Sequence, residues 1–147
     1  MTRGEQAEHN FREGYTCAQA VALAFCKDAG ADEKTLLAAT YPMGGGMGRM
    51  RLTCGAVTGG VTVLGLFFSD LPKGELYAIV QEYARRCREK NGSIICAELL
   101  TGAGIGAETS PVPEERGKEY YKKRPCPLLV KDAADILEAM LTERGRL

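Results

Sequence analysis

The chain reads as an all-α protein, a compact bundle of about six to eight helices with a central Gly-rich helix. Three observations predict this. Helix-start and helix-stop residues recur along the 147 residues, while alternating strand patterns are weak. Two segments carry apolar stripes at helical spacing: Leu76, Ile79, Val80, Tyr83 and Cys87 in one, and Leu129, Ala133, Ile136, Leu137, Met140 and Leu141 in the other. A third segment, Ala56 to Phe68, is apolar all round and suits the middle of a bundle.

The first helix is expected over Glu5–Glu13, breaking at Gly14. The second runs from Cys17, behind the N-cap Thr16, to about Ala29, where Gly30 ends it. The third follows Asp32, has Glu33 in its first turn and stops near Thr40, because Pro42 follows. Residues 44–51, Gly-Gly-Gly-Met-Gly-Arg-Met-Arg, form a loop. The fourth helix is expected to start at Cys54 with Thr53 as its cap. Val57, Thr58, Val61, Thr62 and Val63 favour a strand there, but the segment is long and lacks alternation of period two. Gly55/Gly59 and Ala56/Gly60 put small residues four apart, so neighbouring helices can approach closely. The fifth helix begins near Asp70-Leu71-Pro72 and ends at Asn91-Gly92, and a short sixth covers Ser93–Leu100. Residues 101–125 form a Gly- and Pro-containing loop with room for a short helix over Glu114–Lys122, and Pro127 opens the last helix. No repeat or linker interrupts the chain, so residues 1–147 are read as one domain.

A formal net charge of zero gives no electrostatic basis for binding nucleic acid or an anionic membrane surface. The most apolar run is too short to cross a bilayer, so no membrane insertion is expected. The first ten residues lack the apolar core of a secretory signal, which makes a cytoplasmic location the expectation. Six cysteines in that compartment argue against permanent disulfides and towards metal binding or redox chemistry.

Four of these cysteines, Cys17, Cys54, Cys96 and Cys126, fall at expected helix starts, where partial positive charge favours thiolate. They are 37, 42 and 30 residues apart, so they come from four different helices whose starts a bundle can gather at one end. Packed thiolates repel unless a cation neutralises them or pairs are oxidised. An S4 set suits zinc or an iron–sulfur cluster, and oxidised pairs would make a thiol–disulfide relay. No C-x-x-C is present. Cys26 is half a turn out of phase with Cys17, and Cys87 lies in an apolar stripe, so both are read as small structural hydrophobes.

Gly55, Gly59 and Gly60 allow close approach of a backbone or cluster, and the glycines of residues 44–46 can expose N–H groups to sulfur or an anion. Arg49 and Arg51 add positive charge near Cys54, which makes Cys54 the expected most acidic thiol. Gly55, Gly59, Arg49 and Arg51 are therefore candidate cofactor-binding residues. The loop lacks a complete nucleotide-binding glycine spacing. His9, the only histidine, lies in a polar stretch and is expected to be exposed, which disfavours a Cys–His nucleophile pair. Asp132 and Asp135 read as dipole partners and surface charges of the last helix, and Lys122-Lys123-Arg124 as a solvated basic patch that can attract an acidic redox partner.

The cysteine order, the motif Cys54-Gly55-Ala56-Val57-Thr58-Gly59, the loop Gly44–Gly48 and Cys126-Pro127-Leu128 together resemble the C_GCAxxG_C_C family of redox-active proteins, from about Gly14 to Met140. The resemblance implies a redox role for the cysteines. Related domains look like parts of anaerobe electron-transfer proteins, including fusions to haem domains with an iron–sulfur centre. The expectation is a redox or electron-transfer protein with one centre. Cys17, Cys54, Cys96 and Cys126 would serve there as both ligands and reacting groups, with an iron–sulfur cluster as cofactor and a redox protein as partner. A homodimer is compatible with this reading. Two alternatives stay open: a cofactor-free thiol–disulfide oxidoreductase, and a non-catalytic module with structural zinc. Zinc is less favoured because a closed S4 zinc site needs no glycine-rich surround.

Overall fold

Capping decides where the first helices begin. Helix α1 (Arg3–Arg12) starts ahead of the expected Glu5 because Thr2 and Glu5 close a capping box. Helix α2 (Cys17–Ala29) uses the same device, made by Thr16 and Gln19, and ends at Gly30 in left-handed backbone. Helix α3 (Glu33–Thr40) is capped by Asp32, whose carboxylate accepts from the Thr35 N–H at 2.9 Å. A 3-10 turn, Tyr41–Met43, then accommodates Pro42. The computed structural model describes all 147 residues and continues with α4 (Gly55–Phe68), α5 (Lys73–Asn91), α6 (Cys96–Gly102), α7 (Lys118–Lys123) and α8 (Cys126–Glu143). The fold is all-α, with one isolated antiparallel bridge between Thr53 and Ile95.

Helices α2 and α4 form one tightly packed pair, and α1 packs against both α2 and α8. Phe11, Phe25, Leu64, Phe68, Tyr83 and Met140 fill the core between them. The Gly-rich α4 touches α2, α5 and α8, although it is not buried all round: Leu66 on its outer face is exposed. A Cβ on Gly59 would stand 2.5 Å from Ala18 O, and one on Gly60 would stand 2.0 Å from the Tyr83 hydroxyl. That hydroxyl donates to Ala56 O at 3.1 Å. The small residues of α4 thus admit α2 on one side and α5 on the other. Asp135 on α8 accepts from the Gly4 N–H at 3.0 Å, so it serves the start of α1.

The glycine loop has a defined form. Gly44–Met47 is one turn of helix of the opposite hand, closed by the Gly48 N–H donating to Gly44 O. Gly45, Gly46, Met47, Gly48 and Arg49 all have positive φ, between 58° and 70°, and so does Arg51 at 61°. For L-residues this hand costs about 1–2 kcal/mol each, a strain held at Met47, Arg49 and Arg51.

Candidate cysteine centre

Each of the four cysteines is placed by a helix start, but by different means. Cys17 and Cys126 are the first residues of α2 and α8. Cys54 is the N-cap of α4 rather than its first residue, and Thr53, the expected cap, lies in the bridge instead. The Cys54 N–H donates to Ile94 O at 2.7 Å, and the Cys96 N–H donates to Leu52 O at 2.6 Å. This short pairing sets the starts of α4 and α6 side by side, and so brings together two cysteines 42 residues apart. Helix α6 begins at Cys96, later than the expected Ser93; the Ser93 hydroxyl instead accepts from the Ile95 N–H at 3.0 Å.

The left-handed turn passes between α2 and α6. A Cβ on Gly44 would stand 2.9 Å from Thr16 Cβ, and one on Gly46 would stand 2.7 Å from Cys96 Cβ. The turn presents the Gly45 N–H to the Cys17 sulfur, which also accepts from the Ala18 N–H. Cys17, Cys54, Cys96 and Cys126 all line one cavity of about 20 Å³, closed by Gly55, Ala56, Leu99, Leu100, Leu129 and Val130. Cys26 and Cys87 do not reach it. The Cys26 thiol donates to Ala31 O at 3.2 Å, and Cys87 is buried beside Tyr83.

Burial dominates the electrostatics. It pushes the Cys54 thiol well above its ordinary range, the neighbouring Cys17 adds to this, and only the Ala56 N–H opposes. Burial also raises Cys17, against the N–H groups of Gly45 and Ala18, and pushes Cys126 up to about 12. The expectation of an acidic Cys54 is therefore corrected: desolvation in an apolar pocket outweighs a helix start. The arginines are also placed differently. Arg51 is beside Cys96, its Nη1 3.8 Å from that sulfur. Arg49 turns outward to Ser110 O at 2.5 Å, to Val112 O, and to Glu114 at 2.9 Å. Gly55 lines the cavity, and a Cβ there would stand 2.3 Å from Cys17 Sγ, whereas Gly59 packs on the α2 backbone.

Cys17 and Cys126 also border a second, wider cleft of about 460 Å³ that carries Arg49, Arg51, Glu114, Arg116, Tyr120 and Arg124. Arg124 does not belong to a solvated patch. It is 9% exposed, pairs with Glu114 and lies 4.9 Å from the centre of the Tyr120 ring. Its place two residues before Cys126 was a signal for this role; Arg116, in a featureless loop, gave none. The short helix expected over Glu114–Lys122 begins only at Lys118, which leaves Glu114 free to face this cleft. His9 is exposed beside Glu13, outside both cavities.

Residues 15–140, which contain all four of these cysteines, match the family described as "Putative redox-active protein (C_GCAxxG_C_C)". The chain belongs to the C_GCAxxG_C_C family. No curated protein and no solved structure matches it. In this C_GCAxxG_C_C protein the cysteines of α2, α4, α6 and α8 share one cavity, with the motif glycine Gly55 against Cys17. No helix is long and apolar enough to cross a membrane.

Proposed function

We propose that this C_GCAxxG_C_C protein is an electron carrier whose Cys17, Cys54, Cys96 and Cys126 hold an iron–sulfur cluster. The supporting observation is four thiols around one apolar cavity, with the N–H groups of Ala18, Gly45 and Ala56 turned towards sulfur. The donor set fits: four soft sulfurs from four helices, N–H donors of the kind that tune such centres, and a bare Gly55 where a Cβ would collide with Cys17. No group of three Cys, His, Asp or Glu side chains is already placed to hold a metal ion, so a cluster or a zinc ion alike would need the four sulfurs to rearrange on loading. The cavity of about 20 Å³ is smaller than such a cluster, so loading also requires the cavity to widen.

When bound, the cluster would supply reversible one-electron chemistry. Leu99, Leu100, Leu129 and Val130 exclude water from the sulfurs. The Gly45, Ala18 and Ala56 N–H groups stabilise charge on Cys17 and Cys54, and Arg51 offsets it at Cys96. Cys17 and Cys126 are partly exposed, so the short route for an electron leads through them to the cleft. Lys122 and Lys123, exposed near that opening, offer an acidic redox partner a first contact.

A thiol–disulfide reading has one observation in its favour: Cys17 and Cys126 face the same cleft. Oxidising that pair would form one Sγ–Sγ bond and pass two electrons and two protons to an acceptor. The Cys126 thiol at about 12 works against attack as thiolate near neutral pH.

The test is anaerobic reconstitution with iron and sulfide, followed by iron and acid-labile sulfide assays and a visible spectrum. Both elements are expected in the protein, lost in Cys54→Ser and kept in Cys26→Ala and Cys87→Ala. Folded protein that takes up neither would overturn the cluster. Retention of zinc alone would point to the structural module, and a reversible Cys17–Cys126 disulfide to the relay.

A further inference from the structure

The cleft outside the cysteines is strongly one-signed. The whole chain has a formal net charge of zero, yet the cleft collects Arg49, Arg51, Arg116 and Arg124 against the single carboxylate of Glu114. Three of these guanidinium groups are tied mostly to neutral partners. Arg116 donates to Phe11 O at 3.0 Å and Tyr15 O at 2.8 Å and lies over the Phe11 ring. Arg49 donates to the Ser110 and Val112 carbonyls, and Arg51 Nε donates to Glu108 O at 2.8 Å. Carbonyls and rings orient a guanidinium without cancelling its charge. Glu114 alone does that, shared among Arg124, Arg49 at 2.9 Å and Arg51 at 3.8 Å.

Arg51 supplies the independent observation. It is 5% exposed, and its Nη2 is buried with no hydrogen-bond partner. Its nearest carboxylate oxygen, Glu114 Oε1, stands 3.8 Å away, an ion pair too long to be a hydrogen bond. A buried charged donor without a hydrogen bond is costly, and a strained left-handed residue, φ 61°, holds it there. The donor belongs to a side chain that borders both Cys96 and the cleft. The cleft volume, about 460 Å³, is that of a small-molecule site.

We propose that this cleft binds a small ligand through an oxyanion group, a carboxylate or a phosphate, with Arg51 Nη2 as the buried donor and Glu114 as the internal group it displaces. A planar guanidinium fork is suited to either oxyanion. The bound ligand would lie against Cys17 and Cys126, at the mouth of the cysteine centre. Anion binding is independent of what the cysteines hold, so a failed cluster assay leaves it standing, and the reverse also holds.

The test is calorimetric titration of the full chain at low ionic strength, with inorganic phosphate in one arm and malonate in the other. Saturable binding at one site is expected, and the tighter arm identifies the oxyanion. Arg51→Met should weaken it about tenfold or more, with circular dichroism confirming the fold. Glu114→Gln should tighten it about two- to fivefold by removing the internal competitor, a gain that misfolding does not produce. No saturable binding in either arm would overturn the site. So would binding unchanged by Glu114→Gln, the result expected if the arginines serve only to offset thiolate charge.

Discussion

A single added methyl group separates Gly55, Gly59 and Gly60 of α4 from open helical glycines such as Gly74. In Gly59→Ala the new Cβ meets Ala18 O at 2.5 Å, and because that atom is backbone, α2 and α4 must part. The expected loss is about 1–3 kcal/mol. Gly74→Ala, in the open first turn of α5, has nothing within 4 Å of the new Cβ and should gain up to about 0.5–1 kcal/mol. Urea unfolding of the two variants checks the pair; equal effects would mean that helix propensity, not contact, governs Gly59. The close approach was legible in the four-residue spacing of small residues. Which neighbour each glycine faces was not. Gly60, read as room for a cluster, meets Tyr83, and only Gly55 faces the sulfurs.

At the scale of elements, locally encoded features were legible and remotely supported ones were not. The start of α2 follows from Thr16 and Gln19, which lie within one turn of each other, and its end follows from Gly30. The pairing of residues 52–54 with 94–96 has no local signature, because each half is completed by the other. The same holds for the segment between α6 and α7, a strap without regular structure held by Arg49, Arg51, Arg116 and Arg124. Glu114 anchors it. The Arg124 guanidinium, with Arg49 and Arg51 behind it, holds this carboxyl below its ordinary value. A lowered folded-state value means the anchor is intact above the ordinary carboxylate value and lost as pH falls through the folded one. Amide hydrogen exchange of residues 103–117, corrected for intrinsic rates, should therefore accelerate on acidification, and Glu114→Gln should show the raised rate already at neutral pH, while the bonds of Arg49, Arg51 and Arg116 to backbone carbonyls keep the strap in place over the cleft. Exchange unaffected by either change would rule Glu114 out as the anchor.

For the whole molecule, the buried thiols set an alkaline limit. Burial lifts Cys87 from its ordinary 9.0 to about 11. With the folded value above the unfolded one, this contribution is intact below pH 9.0 and is lost as pH rises towards about 11. The shift corresponds to about 3 kcal/mol. Urea midpoints measured across that range should fall, and Cys87→Ala should flatten the fall while costing about 1 kcal/mol at neutral pH. Tyr83, raised by the same burial, keeps the slope from vanishing. An identical slope in the variant would show that Cys87 ionises freely. The convergence of the four cysteines was legible from their common position at helix starts. The raised values of Cys17 and Cys54 were not, because the Leu99, Leu100, Leu129 and Val130 side chains that share their cavity come from α6 and α8, far along the chain from both.

The turn at residues 45–49 is a run of backbone in the mirror-image conformation, the hand that D-amino acids favour. Tolerance of substitution in this stretch is therefore ordered by chirality before size or polarity. At Gly48 an added Cβ has open space around it, so an L-residue there pays the conformational term alone; at Gly46 it would also strike the Leu52 backbone at 2.6 Å. Asn and Asp, which enter this region most readily after glycine, are the natural replacements at Gly48, and β-branched residues the worst. The cysteine centre thus depends on a few residues whose side chains never touch it, through the handedness of the chain that carries them.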